Sequence, residues 1–219
     1  MELQQHHKPT FDNIPAEKRE RILTAATKEF AVGGFENANI NTIAKRADVS
    51  VGSLYKYFEN KQDLFLTVID HSIAKMEDLL NVLVVSRDDI LVKVEKIIRE
   101  IQSFSKENDV LIRLYNAMTA ENNPRFASQF AYEMESITSR IYRIAIDEAK
   151  KNGDVREDLD SAFAAFMIDN LFMSLQFSYS CDYYKERFKI FAGNDIAERD
   201  DFVVEQSLKF IKSAFKVKT

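Results

Sequence analysis

Three prolines and five glycines are all that interrupt 219 residues, and this scarcity limits the fold more than any other feature. A β-sandwich or barrel of this size would need a turn roughly every eight to twelve residues, and glycine and proline supply much of the chemistry of turns. The chain is 46% hydrophobic and 30% charged, rich in Ala, Leu, Ile, Lys and Glu, which favours helices around a substantial core. No strand pattern, internal repeat or low-complexity tract interrupts the helical periodicity. The expectation is an all-α protein. No apolar run approaches the ~20 residues that span a bilayer, and the polar start Met1 to Lys8 lacks the apolar core of a signal peptide. Cys181 is the single cysteine, so no intrachain disulfide framework exists and a reducing cytoplasm is the simplest address.

Residues 1–14 are polar and aperiodic, and read as a flexible arm. Pro15 suits the first turn of a helix whose inner face carries Ile22, Ala26 and Phe30, and Gly33-Gly34 ends it. Asn39 caps a short helix with Ile40, Ile43, Ala44 and Ala47 at helical spacing. Ser50 caps another that turns Leu54 and Phe58 inward. Asn60 and Asp63 then resemble a cap and its acidic third residue, opening a longer helix from Lys61 towards Leu83. Beyond residue 86 long helices are expected at about 88–106, 109–120, 124–152, 160–185 and 197–216.

The chemistry concentrates between residues 40 and 61. The helix after Ser50 presents Val51, Gly52, Ser53, Tyr55, Lys56 and Tyr57 away from Leu54 and Phe58. Hydroxyls and amines of this kind grip phosphates and base edges, and a glycine lets a phosphate come close. Lys61 stands where free N–H groups at a helix start attract an anion.

The segments Lys18-Arg19-Glu20-Arg21-Ile22-Leu23-Thr24-Ala25-Ala26, Phe30-Ala31-Val32-Gly33-Gly34-Phe35, Ile43-Ala44-Lys45-Arg46-Ala47-Asp48-Val49-Ser50 and Val51-Gly52-Ser53-Leu54-Tyr55-Lys56-Tyr57-Phe58-Glu59-Asn60-Lys61 follow one another almost without a gap. Together they resemble the N-terminal signature of the tetracycline-repressor (TetR) family. The remainder, 67–219, is similar only in the number and length of its helices. The resemblance implies a homodimer of about nine helices per chain. The first three would form a DNA-binding head, the fourth would join it to a ligand-binding and dimerisation domain, and the last two would pair with the partner. It implies phosphate contacts from Ser53, Tyr55, Tyr57 and Lys61, and base reading by Val51, Gly52 and Lys56. Val51 stands where the family often has Lys or Arg, and Asp48 stands where it usually has Gly. The implied division is an arm at 1–14, a helix-turn-helix domain at 15–60 and an effector and dimerisation domain at 61–219.

The net charge of −5 looks wrong for a DNA binder until the chain is divided. Lys+Arg minus Asp+Glu is 9 − 9 = 0 for residues 1–66 and 21 − 26 = −5 for 67–219, so the acidity lies outside the head. Within 40–61 the balance is 4 − 2 = +2 (Lys45, Arg46, Lys56 and Lys61 against Asp48 and Glu59), a modest positive footprint to which a dimer would add.

For the effector pocket the candidates are His71, Phe104, Tyr115, Met118, Phe130, Met134, Phe172 and Gln176. For the dimer interface they are Phe166, Asn170, Met173, Phe177, Phe202, Gln206 and Phe210, because the run 162–181 is apolar nearly all round and needs covering on two sides. For any one of these aromatic residues taken alone, an ordinary core is the better reading. Cys181 reads as a small buried hydrophobe. No required cofactor and no metal site follow, since three histidines and one cysteine cannot build a structural zinc site. A haem effector held by His71 or Tyr132 stays open, though nothing in the sequence argues for it. No catalytic constellation is present.

The expected function is a cytoplasmic bacterial repressor, nucleoid-associated when bound, dimeric on a palindromic operator. A small apolar or aromatic effector would release it by shifting the helix that opens at Lys61. The alternative is a regulator of the same fold that needs no effector or answers to a protein partner.

Overall fold

The computed structural model describes residues 5–84, 86, 88–119 and 124–215, and within its helices omits the side chains of 75–76, 78–79, 81–84, 124–130 and 133–134. The described residues form eleven α-helices and one 3-10 turn, with no strand. The head comprises α1 (Pro9–Asp12), α2 (Ala16–Asn37), α3 (Ile40–Arg46), α4 (Val51–Tyr57) and the start of α5 (Lys61–Val84).

Short helices depend on their caps, because the first N–H groups have no partner inside the helix. Asn39 Oδ1 accepts from the Asn41 amide at 2.9 Å, Ser50 Oγ from the Ser53 amide at 3.1 Å, and Asn60 Oδ1 from the Asp63 amide at 3.0 Å. Asp48, between α3 and α4, adopts φ 53°, the left-handed conformation that Asp tolerates better than most residues. Gly34 at φ 64° breaks the path of α2, so the chain turns where the sequence places a stop, although a last helical turn follows to Asn37.

The N-terminal segment departs from expectation. Residues 5–14 do not form a loose arm: Phe11 is buried in the head core, against the rings of Tyr57 and Phe58. Lys8 donates its amide to Tyr57 O at 2.8 Å and its amine to Tyr55 O at 3.0 Å, while Thr10 Oγ1 donates to Lys56 O at 2.7 Å. These three carbonyls belong to the last turn of α4, where no intrahelical donor remains. The segment is thus a C-terminal cap, with a cation at the helix's negative end.

The rest of the chain is α6 (Ile90–Glu107), α7 (Asp109–Thr119), α8 (Pro124–Lys151), α9 (Ser161–Ser180), α10 (Asp182–Ala192), the 3-10 turn Ile196–Glu198 and α11 (Asp200–Phe215). One long helix was expected at 160–185. The chain instead takes an extended conformation at Cys181 (φ −99°, ψ 132°) and restarts as α10, and Cys181 itself is buried.

Three apolar clusters organise the interior. The head cluster gathers Ile22, Phe30, Ile43, Leu54, Phe58 and Phe65, and also takes in Leu114 and Met118 of α7. A second joins α6, α8, α9 and α11 through Ile98, Ile146, Phe172 and Val204. A small third holds Ile112, Phe177 and Cys181, flanked by Phe104, Tyr115 and Met173. Among the described residues no helix is long and apolar enough to cross a membrane.

Candidate nucleic-acid interface and effector cavity

Helix α4 turns Leu54 and Tyr57 into the head and leaves Gly52, Tyr55 and Lys56 exposed, with Val51 and Ser53 half-buried beside them. Ser53 Oγ lies 2.8 Å from Ser50 Oγ, so its hydroxyl belongs partly to the cap. A Cβ added at Gly52 would meet nothing closer than Ser50 Oγ at 3.9 Å, so the fold itself has room for a side chain there. Arg46 is held by Glu29 at 2.7 Å, whereas Lys45 is exposed.

Two of the expected DNA-contacting side chains lie elsewhere. Tyr57 is buried, its hydroxyl accepting from Lys18 Nζ at 3.1 Å. It stands three residues after Leu54, on the same side of the helix, and α1 covers that side. Lys61 folds back over the Phe35 ring and donates to Glu36 O at 2.9 Å and Ala38 O at 3.3 Å, bracing the α2–α3 junction.

Below the head, where the three clusters meet, lies a cavity of about 110 Å³ lined by α5, α6, α7, α8 and α9. Ile69 and Leu80 of α5, Ile97 and Phe104 of α6, Ile112 and Tyr115 of α7, and Phe172 and Gln176 of α9 contribute to its wall. An adjoining groove of about 430 Å³ shares Glu135, Thr138, Asp169 and Met173 with it and continues past Phe166 and Asn170. For scale, an apolar cavity of about 150 Å³ holds benzene.

Of the expected pocket residues, Phe104, Tyr115, Phe172 and Gln176 line the cavity. Met118 is instead buried in the head cluster, because α7 lies on α2 with that face. His71 is not in the wall: its Nε2 lies 3.3 Å from Glu20 Oε2 and ties α5 to α2. Phe130 and Met134 fall on α8 with side chains outside the described residues. Of the expected interface residues, Phe166, Phe202, Gln206 and Phe210 are exposed, and Asn170 is half-buried with its amide on Phe166 O at 2.7 Å. Met173 and Phe177 are corrections. Met173 faces the cavity and Phe177 is buried against Tyr115 and Tyr184, since α6, α7, α8 and α10 enclose the C-terminal half of α9.

The composition of the cavity wall was not expected. Glu135 on α8 and Asp169 on α9 meet there close enough to hydrogen-bond, with Thr138 beside Asp169. Tyr115 Oη donates to Glu135 Oε1 at 3.2 Å. Burial first, and then the neighbouring Glu135 carboxylate, push Asp169 up to about 7; burial also raises Glu135. The buried phenols Tyr115 and Tyr142 are held above their usual range by desolvation and by the same two carboxylates. Glu100 of α6 is a third carboxylate in the wall. The sequence carried one signal: Asp169 is the only charged residue between 161 and 181.

Residues 22–68 match the family model described as bacterial regulatory proteins, tetR family. Over 163 residues the chain is 23% identical to the uncharacterized HTH-type transcriptional regulator YhgD of Bacillus subtilis, covering 74% of this chain and 84% of that protein. It is 35% identical over 65 residues to the HTH-type transcriptional repressor KstR of Rhodococcus jostii, a match confined to 30% of this chain and 31% of that one. The fold is similar to that of the transcriptional regulator FadR from Bacillus subtilis in complex with stearoyl-CoA, with TM-score 0.68 and 19% identity, over 85% of this chain and 95% of that one.

Proposed function

The chain is a transcriptional regulator of the tetR family and not an enzyme, and on that premise we propose that it is a dimeric repressor whose α4 reads a palindromic operator and whose cavity takes a releasing effector. The observation that carries the DNA reading is the outer face of α4. Gly52, Tyr55 and Lys56 lie together on a capped, braced helix, and the interior offers no reason for the glycine. A glycine inside a helix costs up to about 1 kcal/mol relative to alanine, so an external demand such as close approach to a phosphate accounts for it best.

Dimerisation is supported by the outer side of α9, where Phe163, Phe166 and Met167 are 62%, 60% and 53% exposed, and by Phe210 of α11 at 65%. A monomer would leave these large apolar groups in water; a second copy would cover them. The working place would be the bacterial cytoplasm, on DNA.

Two elements could carry the signal. Helix α5 starts in the head at Lys61 and lends Ile69 and Leu80 to the cavity. Helix α7 puts Leu114 and Met118 into the head core and lends Ile112 and Tyr115 to the cavity wall, with Tyr115 also packed against the head cluster. An effector that favours one packing of these helices would bias the spacing of the two heads.

The test is operator binding by purified variants. Lys56→Ala should relax sequence preference, while Lys61→Ala, whose amine is already held by Glu36 O and Ala38 O, should leave the salt slope unchanged. Thermal melting of Lys61→Ala checks that the lost brace has not unfolded the head. Unchanged affinity and selectivity in Lys56→Ala would defeat the assignment of α4.

A further inference from the structure

The cavity wall is apolar and aromatic but its charge has one sign. Glu100, Glu135 and Asp169 all face it, and among the described lining residues there is no Lys, Arg or His. A second feature points to a guest. Tyr142, only 7% exposed, lines the cavity with a hydroxyl that has no hydrogen-bond partner among the described residues, next to both carboxylates. A hydroxyl that opens onto a cavity in this way is satisfied by water or by a guest that fills the cavity. Two carboxylates side by side in a desolvated site are costly unless a proton or a cation sits between them.

We propose that the effector is a lipophilic organic cation, an amine or quaternary ammonium carried on an apolar body, seated with its charge at Glu135 and Asp169 and its body among Phe104, Tyr115 and Phe172. This rests on the reading of the cavity as an effector site. The aromatic walls favour a cation over an anion, since ring faces are negative. Acyl chains ending in phosphate or carboxylate would bring like charge to Glu135 and Asp169. A metal ion is the poorer fit, because among the described residues no three acidic, His or Cys side chains converge to hold one. Arrival of the cation replaces the proton that the carboxyl pair shares, and Glu100, Tyr115 and Tyr142 are the other titratable groups in the wall.

Calorimetric titration of the full-length protein with three probes of matched shape tests this: benzyltrimethylammonium, its neutral carbon isostere neopentylbenzene, and the anion phenylacetate. The cation should bind at least tenfold more tightly than the isostere, and phenylacetate should bind weakest. Asp169→Asn and Glu135→Gln should each remove most of that preference and keep affinity for neopentylbenzene, which shows that the pocket still folds. Cation affinity should rise about tenfold from pH 6 to pH 8 if one carboxyl with a midpoint near 7 must lose its proton, while neopentylbenzene stays flat. Equal or better binding of the neutral or anionic probe sinks the cation proposal and leaves the effector cavity standing. So does a cation preference that survives both substitutions. Binding of none of the three overturns the effector cavity and the proposal with it.

Discussion

Tyr55 and Tyr57 look interchangeable in the sequence, and the fold gives them opposite fates. Two residues apart on a helix is about 200° of rotation, so one must face inward when the other faces out. Tyr55 is 48% exposed; Tyr57 stacks under α1 and receives Lys18. Lys61 is a similar case: a cation at a helix start suits an anion, but its amine finds two carbonyls of its own chain first. Gly52 is the residue whose role is easiest to separate. Gly52→Ala should raise stability by up to about 1 kcal/mol, because alanine is the better helix former and the space exists. It should also weaken operator binding. Denaturant melting and a DNA titration on the same sample check both, and a variant that is no more stable, or binds equally well, would remove the argument for close approach.

At the scale of elements, the caps were legible. Asn39, Ser50 and Asn60 each accept the amide that their spacing implies, because capping is a contact between residues two or three apart. Helix α1 was not legible: a single turn with one apolar anchor, Phe11, has no periodicity to read. Its importance comes from partners more than forty residues away, the last carbonyls of α4. Phe11→Ala should cost about 3 kcal/mol, the usual loss for a buried ring. It should weaken operator binding beyond that loss, since α4 would fray at its C-terminal end. A melt within 0.5 kcal/mol of wild type, a change typical of surface sites, would show that the segment is not part of the head. The break at Cys181 was hidden for another reason. The run that leads to it, 162–181, is apolar nearly all round, so no stripe shifts to mark the bend, and neither Gly nor Pro stands there.

Across the whole molecule, the Glu135–Asp169 pair should leave a mark on stability. Asp169 sits near 3.9 in an unfolded chain and at about 7 in the fold. The folded state therefore holds more protons between those values, and stability falls as pH rises through the window. A tenfold change in proton affinity is worth about 1.4 kcal/mol, so with partial exposure the loss should be on the order of 2 kcal/mol between pH 5 and pH 8. Asp169→Asn should flatten this decline, and parallel melting curves against pH for both proteins would show that the pair does not share a proton.

What the sequence determined by itself is local: helical content, the caps, the glycine and aspartate at their turns, and the signature between residues 18 and 61 that resembles one family. Each depends on neighbours a few residues apart, which is the range over which periodicity and capping speak. Tertiary structure alone decided what each apolar face is buried against. Met118 joined the head, Phe177 the interior and Met173 the cavity, although the sequence offers all three as equivalent large hydrophobes. It also decided that two carboxylates 34 positions apart, Glu135 and Asp169, would meet where α8 crosses α9. Helical spacing records that a face is hidden, and only the packing of helices records what it hides against.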